Sequence, residues 1–213
     1  MGCFYSKSEN KNTGYQYLLA YRFPDGEAKN MIMELSELLG GQVYNGYKAK
    51  NESPHFTLKY VFVANHNQLD ELINALDKFT KQNKPTIAWL TGVGKFSDSN
   101  RVAFVEQERS NETIELIRSL TSLLKSFEWM KWDNFDDNVN GPIPHSTVFL
   151  EEEGISDDQF NKLVDYFGNK KIEFSIDNIC ISRHKIGEDF KGYMKEPGSS
   201  LDEDNIWKKF TLK

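Results

Sequence analysis

The sequence predicts an α+β fold of two antiparallel sheets, each backed by helices, in a twofold order. Three observations carry this expectation. Strand-like and helix-like stretches alternate along the chain, Ser97-Asp98-Ser99-Asn100 reads as the turn of a hairpin, and one five-residue phrase occurs twice, at the heads of two predicted strands. The chain of 213 residues, with 38% apolar and 27% charged residues, is long enough to bury a core and too balanced to be disordered or collagenous. A flexible segment over residues 1–13 and a single two-lobed domain over residues 14–213 are expected.

From Tyr15 to Phe23 the sequence has strand propensity, and Pro24-Asp25-Gly26 ends it. A helix follows, with Asp25 as its expected cap, Ala28, Ile32, Leu35 and Leu39 at helical spacing and Gly40-Gly41 as its stop. The run from His55 to Val63 alternates like a strand, and Leu69, Leu72, Ile73 and Leu76 mark a second helix. Strands are expected at Thr86–Phe96 and Arg101–Glu106, then a helix through Leu116, Leu120, Leu123 and Phe127. After the irregular stretch 129–144, His145 to Leu150 reads as a strand. Ser156-Asp157-Asp158-Gln159 is a capping box for a helix containing Phe160, Leu163, Val164 and Phe167 and ending at Gly168. One strand is expected from Lys171 to Ser182, then a loop over about 187–205, and an edge strand from Ile206 to Leu212.

The repeated phrase is Pro54-His55-Phe56-Thr57-Leu58 and Pro144-His145-Ser146-Thr147-Val148, and it holds two of the four histidines. On a strand His55 and Thr57 share one face, as do His145 and Thr147, while the intervening residues face the other way. A lone histidine of this kind is ordinarily a satisfied strand-end residue, but the repetition argues against that here. Two imidazoles can serve as general base and general acid near neutral pH, and threonine hydroxyls can donate to a phosphoryl oxygen. Phosphodiester cleavage is the natural reaction for such a set. No third or fourth ligand stands at workable spacing beside either motif, so no metal and no cofactor is expected.

His55-Phe56-Thr57-Leu58 and His145-Ser146-Thr147-Val148 make the chain resemble the two-histidine (2H) phosphoesterases, specifically the branch similar to 2′-5′ RNA ligases. The resemblance covers about Tyr15 to Leu212. It implies two pseudo-symmetric lobes with the motifs facing across a central cleft, and a metal-independent hydrolase acting on a 2′,3′-cyclic phosphate or a 2′-5′ linkage in RNA or a small nucleotide. His55 and His145 would then be the catalytic pair, with the assignment of base and acid open, and Thr57 and Thr147 would bind phosphate. Degradation of 2′-5′ oligoadenylate or a cyclic oligonucleotide signal, or a catalytically silent nucleotide-binding module, are the alternatives.

Lys59 shares the alternation phase of His55 and Thr57 and is a candidate substrate contact, as are Arg101 and Lys95 flanking the hairpin turn. Tyr17, Phe96, Trp132 and Tyr193 are candidates for stacking on a base, with core packing the default for each. His66 reads as a helix-start residue and His184 as the close of a strand. The net charge of −6 argues against a protein that grips long nucleic acid, so the expected partner is a short RNA end or small nucleotide. The two cysteines, Cys3 and Cys180, are not expected to pair, which fits a cytoplasmic monomer. Met1-Gly2-Cys3 fits an acylation pattern that would tether the chain to a membrane in a eukaryotic cell.

Overall fold

Tyr17, Leu19, Tyr21 and Phe23 alternate with Leu18 and Ala20, so the first strand has two apolar faces and is buried on both. A computed structural model describes residues 15–41, 43–45, 54–63, 66–96, 99–130, 145–185 and 206–213. The element order is β1 (Tyr15–Arg22), α1 (Glu27–Leu39), β2 (His55–Val63), α2 (His66–Gln82), β3 (Thr86–Phe96), β4 (Ser99–Arg109), α3 (Asn111–Lys125), β5 (His145–Leu150), α4 (Asp157–Phe167), β6 (Ile172–Ile176), β7 (Asn178–Lys185) and β8 (Ile206–Thr211). The strands form two four-stranded sheets, ordered β2-β1-β7-β8 and β5-β4-β3-β6, with every pairing antiparallel. This is the two-lobed α+β architecture expected from the sequence. The flexible segment expected over residues 1–13 lies outside the described residues.

The internal repeat is legible in the topology. Strand β1 pairs with the motif strand β2, and β4 pairs with the motif strand β5. Each motif strand stands at the edge of its sheet. The repeats exchange strands: β3, the strand after β2, joins the second sheet beside β4, whereas after β5 the strand β6 joins that same sheet beside β3 and only β7 crosses to the first sheet beside β1. Helix α2 packs on β2 and β8, α3 on β3 and β4, and α1 on β5, β6 and α4. One apolar core runs from Tyr17, Leu19 and Tyr21 of the first sheet to Ala103, Val105 and Val148 of the second, so the lobes share a core. Leu18, Ala20 and Cys180 form a separate buried cluster on the opposite face of the first sheet.

Two local expectations are corrected. Asp25 does not cap α1: Gly26 holds that position at φ 153 without a side-chain cap, and the Asp25 carboxylate accepts instead from Lys29 Nζ at 2.7 Å. The single strand expected from Lys171 to Ser182 is two strands in different sheets, broken at Asp177. The buried Asn178 makes the crossing. Its Nδ2 donates to the Arg22 carbonyl at 2.9 Å and its Oδ1 accepts from the Arg22 N–H at 3.2 Å, so the side chain meets both backbone groups at the end of β1. Ser156 and Gln159 form the capping box of α4 as expected, and Gly168 ends that helix at φ 59.

The lobes are also tied by Tyr21, whose hydroxyl donates to the Ser175 carbonyl at 2.8 Å and whose ring lies 5.8 Å from that of Phe174. Burial pushes the Tyr21 phenol far above its ordinary range, and it pushes the Cys180 thiol from 9.0 to about 11. Both groups hold their proton more tightly folded than unfolded. Their stabilisation is therefore complete below pH 9.0 and declines as the pH climbs towards about 11, a fall that urea midpoints measured across that range should show. Asn178→Ala would remove both side-chain hydrogen bonds to the part-buried backbone of Arg22 and should cost about 1–3 kcal/mol by denaturant unfolding.

Candidate active site

The two motif strands carry the same backbone irregularity. In the first pair Arg22 stands opposite His55 and Ala20 opposite Thr57, then the register shifts and Leu19 stands opposite Lys59. In the second Glu106 stands opposite His145 and Phe104 opposite Thr147, then the register shifts and Ala103 stands opposite Phe149. Leu58 and Val148, the apolar residues that end the motifs, are thus the extra residues of matching bulges. Up to each bulge alternation holds, so His55 and Thr57 share a face, as do His145 and Thr147; all four are half-buried.

The bulge corrects the expectation for Lys59. Beyond it, Lys59 registers with Leu19 of the main core, while Thr57 registers with Ala20 of the opposite face. Lys59 is buried at 5% exposure and does not continue the His55–Thr57 row. Phe149 is its counterpart in the second motif and belongs to the core.

A side chain joins the two motifs. Ser146, fully buried between His145 and Thr147, donates from Oγ to the carbonyl oxygen of His55 at 2.9 Å and accepts from Gln107 Nε2 at 3.1 Å. Edge strands of different sheets are thereby fixed side by side at the level of the histidines. Gln107 Oε1 is buried and has no hydrogen-bond partner among the described residues.

The His145 ring packs 5.2 Å from Phe96, edge-on at 87°, and 5.2 Å from Phe104, and those two phenyl rings are 4.7 Å apart. Glycines make room beside this cluster. A Cβ on Gly94 would come within 2.7 Å of both a Glu106 carboxylate oxygen and the Phe104 ring, and one on Gly92 within 3.2 Å of the other Glu106 oxygen. The Glu106 carboxylate therefore lies over Gly92 and Gly94 in the same cluster of side chains as Phe104.

Of the sequence candidates, Phe96 is brought to His145. Tyr17 is 5% exposed in the main core, the default reading for it, and not a candidate stacking platform. Arg101 is exposed at the start of β4, where its carbonyl accepts from the Glu151 N–H at 3.1 Å. Lys95 pairs with Asp157 at 3.1 Å. His66 is the first residue of α2, and His184 lies within β7 in register with Gln16. Trp132 and Tyr193 lie outside the described residues. Sequence reasoning missed Arg22, Glu106, Phe104 and Ser146. The first three stand opposite motif residues and needed the strand register, whereas Ser146 was signalled by a polar residue at a core-facing position of the motif.

Among the described residues no three His, Cys, Asp or Glu side chains gather as a metal site, and no helix is long and apolar enough to cross a membrane.

The fold is that of solved two-lobed proteins of similar size. A Thermus thermophilus protein, TT0787, matches with a TM-score of 0.57 and 14% identity over 92% of this chain and 97% of that one. Escherichia coli LigT complexed with 3′-AMP matches with a TM-score of 0.51 and 12% identity over 95% and 99%. No curated protein sequence matches significantly. The model of the 2′-5′ RNA ligase superfamily matches residues 24–188, a span that includes both motifs. The chain belongs to that superfamily of 2H phosphoesterases.

Ser146→Ala would leave the His55 carbonyl and Gln107 Nε2 without their shared partner. A loss of about 1–3 kcal/mol is expected by urea unfolding, far more than for an exposed serine in the same protein.

Proposed function

We propose that the protein is a metal-independent phosphodiesterase that hydrolyses a 2′,3′-cyclic phosphate or a 2′-5′ linkage at a short RNA end or in a small nucleotide. The observation that carries this reading is the pairing of two identically bulged His-x-Thr strands at the edges of two sheets, tied by the Ser146–His55 hydrogen bond. The reading takes the two imidazoles and two hydroxyls to act at this junction. One histidine takes a proton from water as its oxygen bonds to phosphorus. The bond from phosphorus to a ribose oxygen breaks, and the other histidine protonates that oxygen, leaving a phosphomonoester and a free hydroxyl. Thr57 and Thr147 donate to the phosphoryl oxygens, where donors aimed at developing charge contribute ~3 kcal/mol of barrier stabilisation each. The net charge of −6 supports a short substrate over a long one, because the whole-molecule field repels a polyanion.

The test is a turnover panel of 2′,3′-cyclic nucleotides, 2′-5′ oligoadenylates and cyclic dinucleotides in excess chelator. Turnover of one class is expected to persist; loss in chelator with recovery on adding zinc or manganese would overturn the reading. His55→Ala and His145→Ala should each reduce kcat by at least ~10²-fold with the fold intact, and the double variant should lose much less than the product of the two. Full activity in His55→Ala alongside abolished activity in His184→Ala would move the site elsewhere.

A further inference from the structure

Glycine weakens the interior of a strand, and where it stands there it often marks a close approach to the backbone. Gly92 and Gly94 of β3 are such a pair, opposite Glu106 and Phe104 of β4. These four residues share the face of the second sheet that carries His145 and Thr147. What lies over the glycines is the Glu106 carboxylate. One of its oxygens is 2.7 Å from the place a Cβ would take on Gly94 and the other 3.2 Å from that on Gly92, so a side chain at either position would push it aside.

Glu106, Glu108 and Glu173 all stand on this face, and two of the three are occupied. Glu108 accepts from Lys171 Nζ at 2.7 Å and Glu173 from Trp89 Nε1 at 3.1 Å. Glu106 is exposed and has no hydrogen bond or ion pair among the described residues. The Phe104 ring meets the same Cβ position of Gly94 at 2.7 Å and lies 4.7 Å from the half-buried Phe96 ring. An unpartnered carboxylate thus borders an aromatic pair. The glycines beneath it are two strands from His145 and Thr147, ~10 Å at the ordinary spacing between strands, which is about the reach from a ribose phosphate to the far edge of its base.

We propose that Glu106 is a specificity-determining residue that selects guanine as the base of the nucleoside whose ribose carries the scissile phosphate. This rests on the phosphodiesterase reading. A carboxylate offers two parallel acceptors and no donor. The Watson–Crick edge of guanine presents two adjacent donors, N1–H and the 2-amino group, and can meet both oxygens in a fork, as a guanidinium does. Adenine and cytosine each set a ring-nitrogen acceptor beside their single amino group, and uracil holds one N–H between two carbonyl oxygens, so each turns a lone pair towards the carboxylate. Stacking on Phe96 holds any base and leaves the choice to Glu106. No ion pair has to break for the base to bind.

The experiment titrates the full chain with each of the four nucleoside 3′-monophosphates by calorimetry. In parallel, it measures turnover of the four nucleoside 2′,3′-cyclic phosphates and of the 2′-5′-linked dinucleotides. Guanosine 3′-monophosphate is expected to bind at least ~10-fold more tightly than the other three, the effect of an added hydrogen bond to a charged group. Inosine 3′-monophosphate, which lacks the 2-amino group, should fall between. Glu106→Gln, whose amide sets a donor beside an acceptor, should bring the four within ~3-fold of one another. Equal binding of the four by the unaltered protein, or a guanine preference that survives Glu106→Gln, would overturn the proposal. Guanine-selective binding by a chain that turns over none of these substrates would sink the phosphodiesterase reading alone, whereas turnover of all four bases at similar kcat/KM would sink this assignment alone. If nothing binds and nothing turns over, both fall.

Discussion

The junction of two sheet edges governs the rest of this structure. An edge strand presents unpaired backbone groups on one side, which ordinarily have to be covered or blunted. Here β2 and β5 are both edges, they lie against one another, and the Ser146 hydroxyl satisfies the His55 carbonyl across the gap. A serine oxygen that donates to one strand and accepts from Gln107 on the next is a polar tie in a mostly apolar interior. Such a group is costly to leave half-satisfied, so the geometry that satisfies it is strongly favoured. That tie sits between His145 and Thr147 in the chain, and its acceptor is the backbone of His55. The relative placement of the two motifs is thus set within a few covalent bonds of the groups that would act.

The crossing of the chain between sheets serves the same junction. Because β3 leaves the first repeat to join the second sheet, and β7 returns to the first, neither lobe owns all of its strands. The shared core and the Tyr21–Ser175 hydrogen bond resist separation of the lobes, and Asn178 fixes the start of β7 to the end of β1 within the first sheet. A site built from two lobes free to move would have to recover its geometry at each turnover. A shared core makes the site largely preorganised.

Much of this was legible in the residues. The bounds of β2, β3 and β5 follow from apolar alternation, and the duplicated His-x-Thr phrase located both motif strands before any register was known. What escaped has physical reasons. Strict alternation puts Lys59 in line with His55, but a bulge inserts one residue after Thr57, and nothing in Leu58 announces it. The run from Lys171 to Ser182 has continuous strand propensity, and only Asp177-Asn178, two turn-forming residues in an apolar run, marks where it changes sheets. That Arg22 stands opposite His55 was invisible because the pairing spans a helix and a loop in sequence and depends on a register that turn chemistry does not fix. Asp25 looked like a cap, yet Gly26 took that place and Asp25 turned to Lys29, two outcomes that local propensity hardly separates.

The backbone of the site is nearly symmetric and its side chains are not. Matching bulges superpose His55 on His145 and Thr57 on Thr147 in register, so the shared part of the repeat supplies two equal imidazoles and two equal hydroxyls. The substitutions between the repeats fall on the neighbours: Arg22 against Glu106, Ala20 against Phe104, Phe56 against Ser146. The first exchanges the sign of charge, the second puts an aromatic wall beside His145 only, and the third supplies the tie between strands. The duplicated strands thus share His-x-Thr and its bulge and differ in the residues around them.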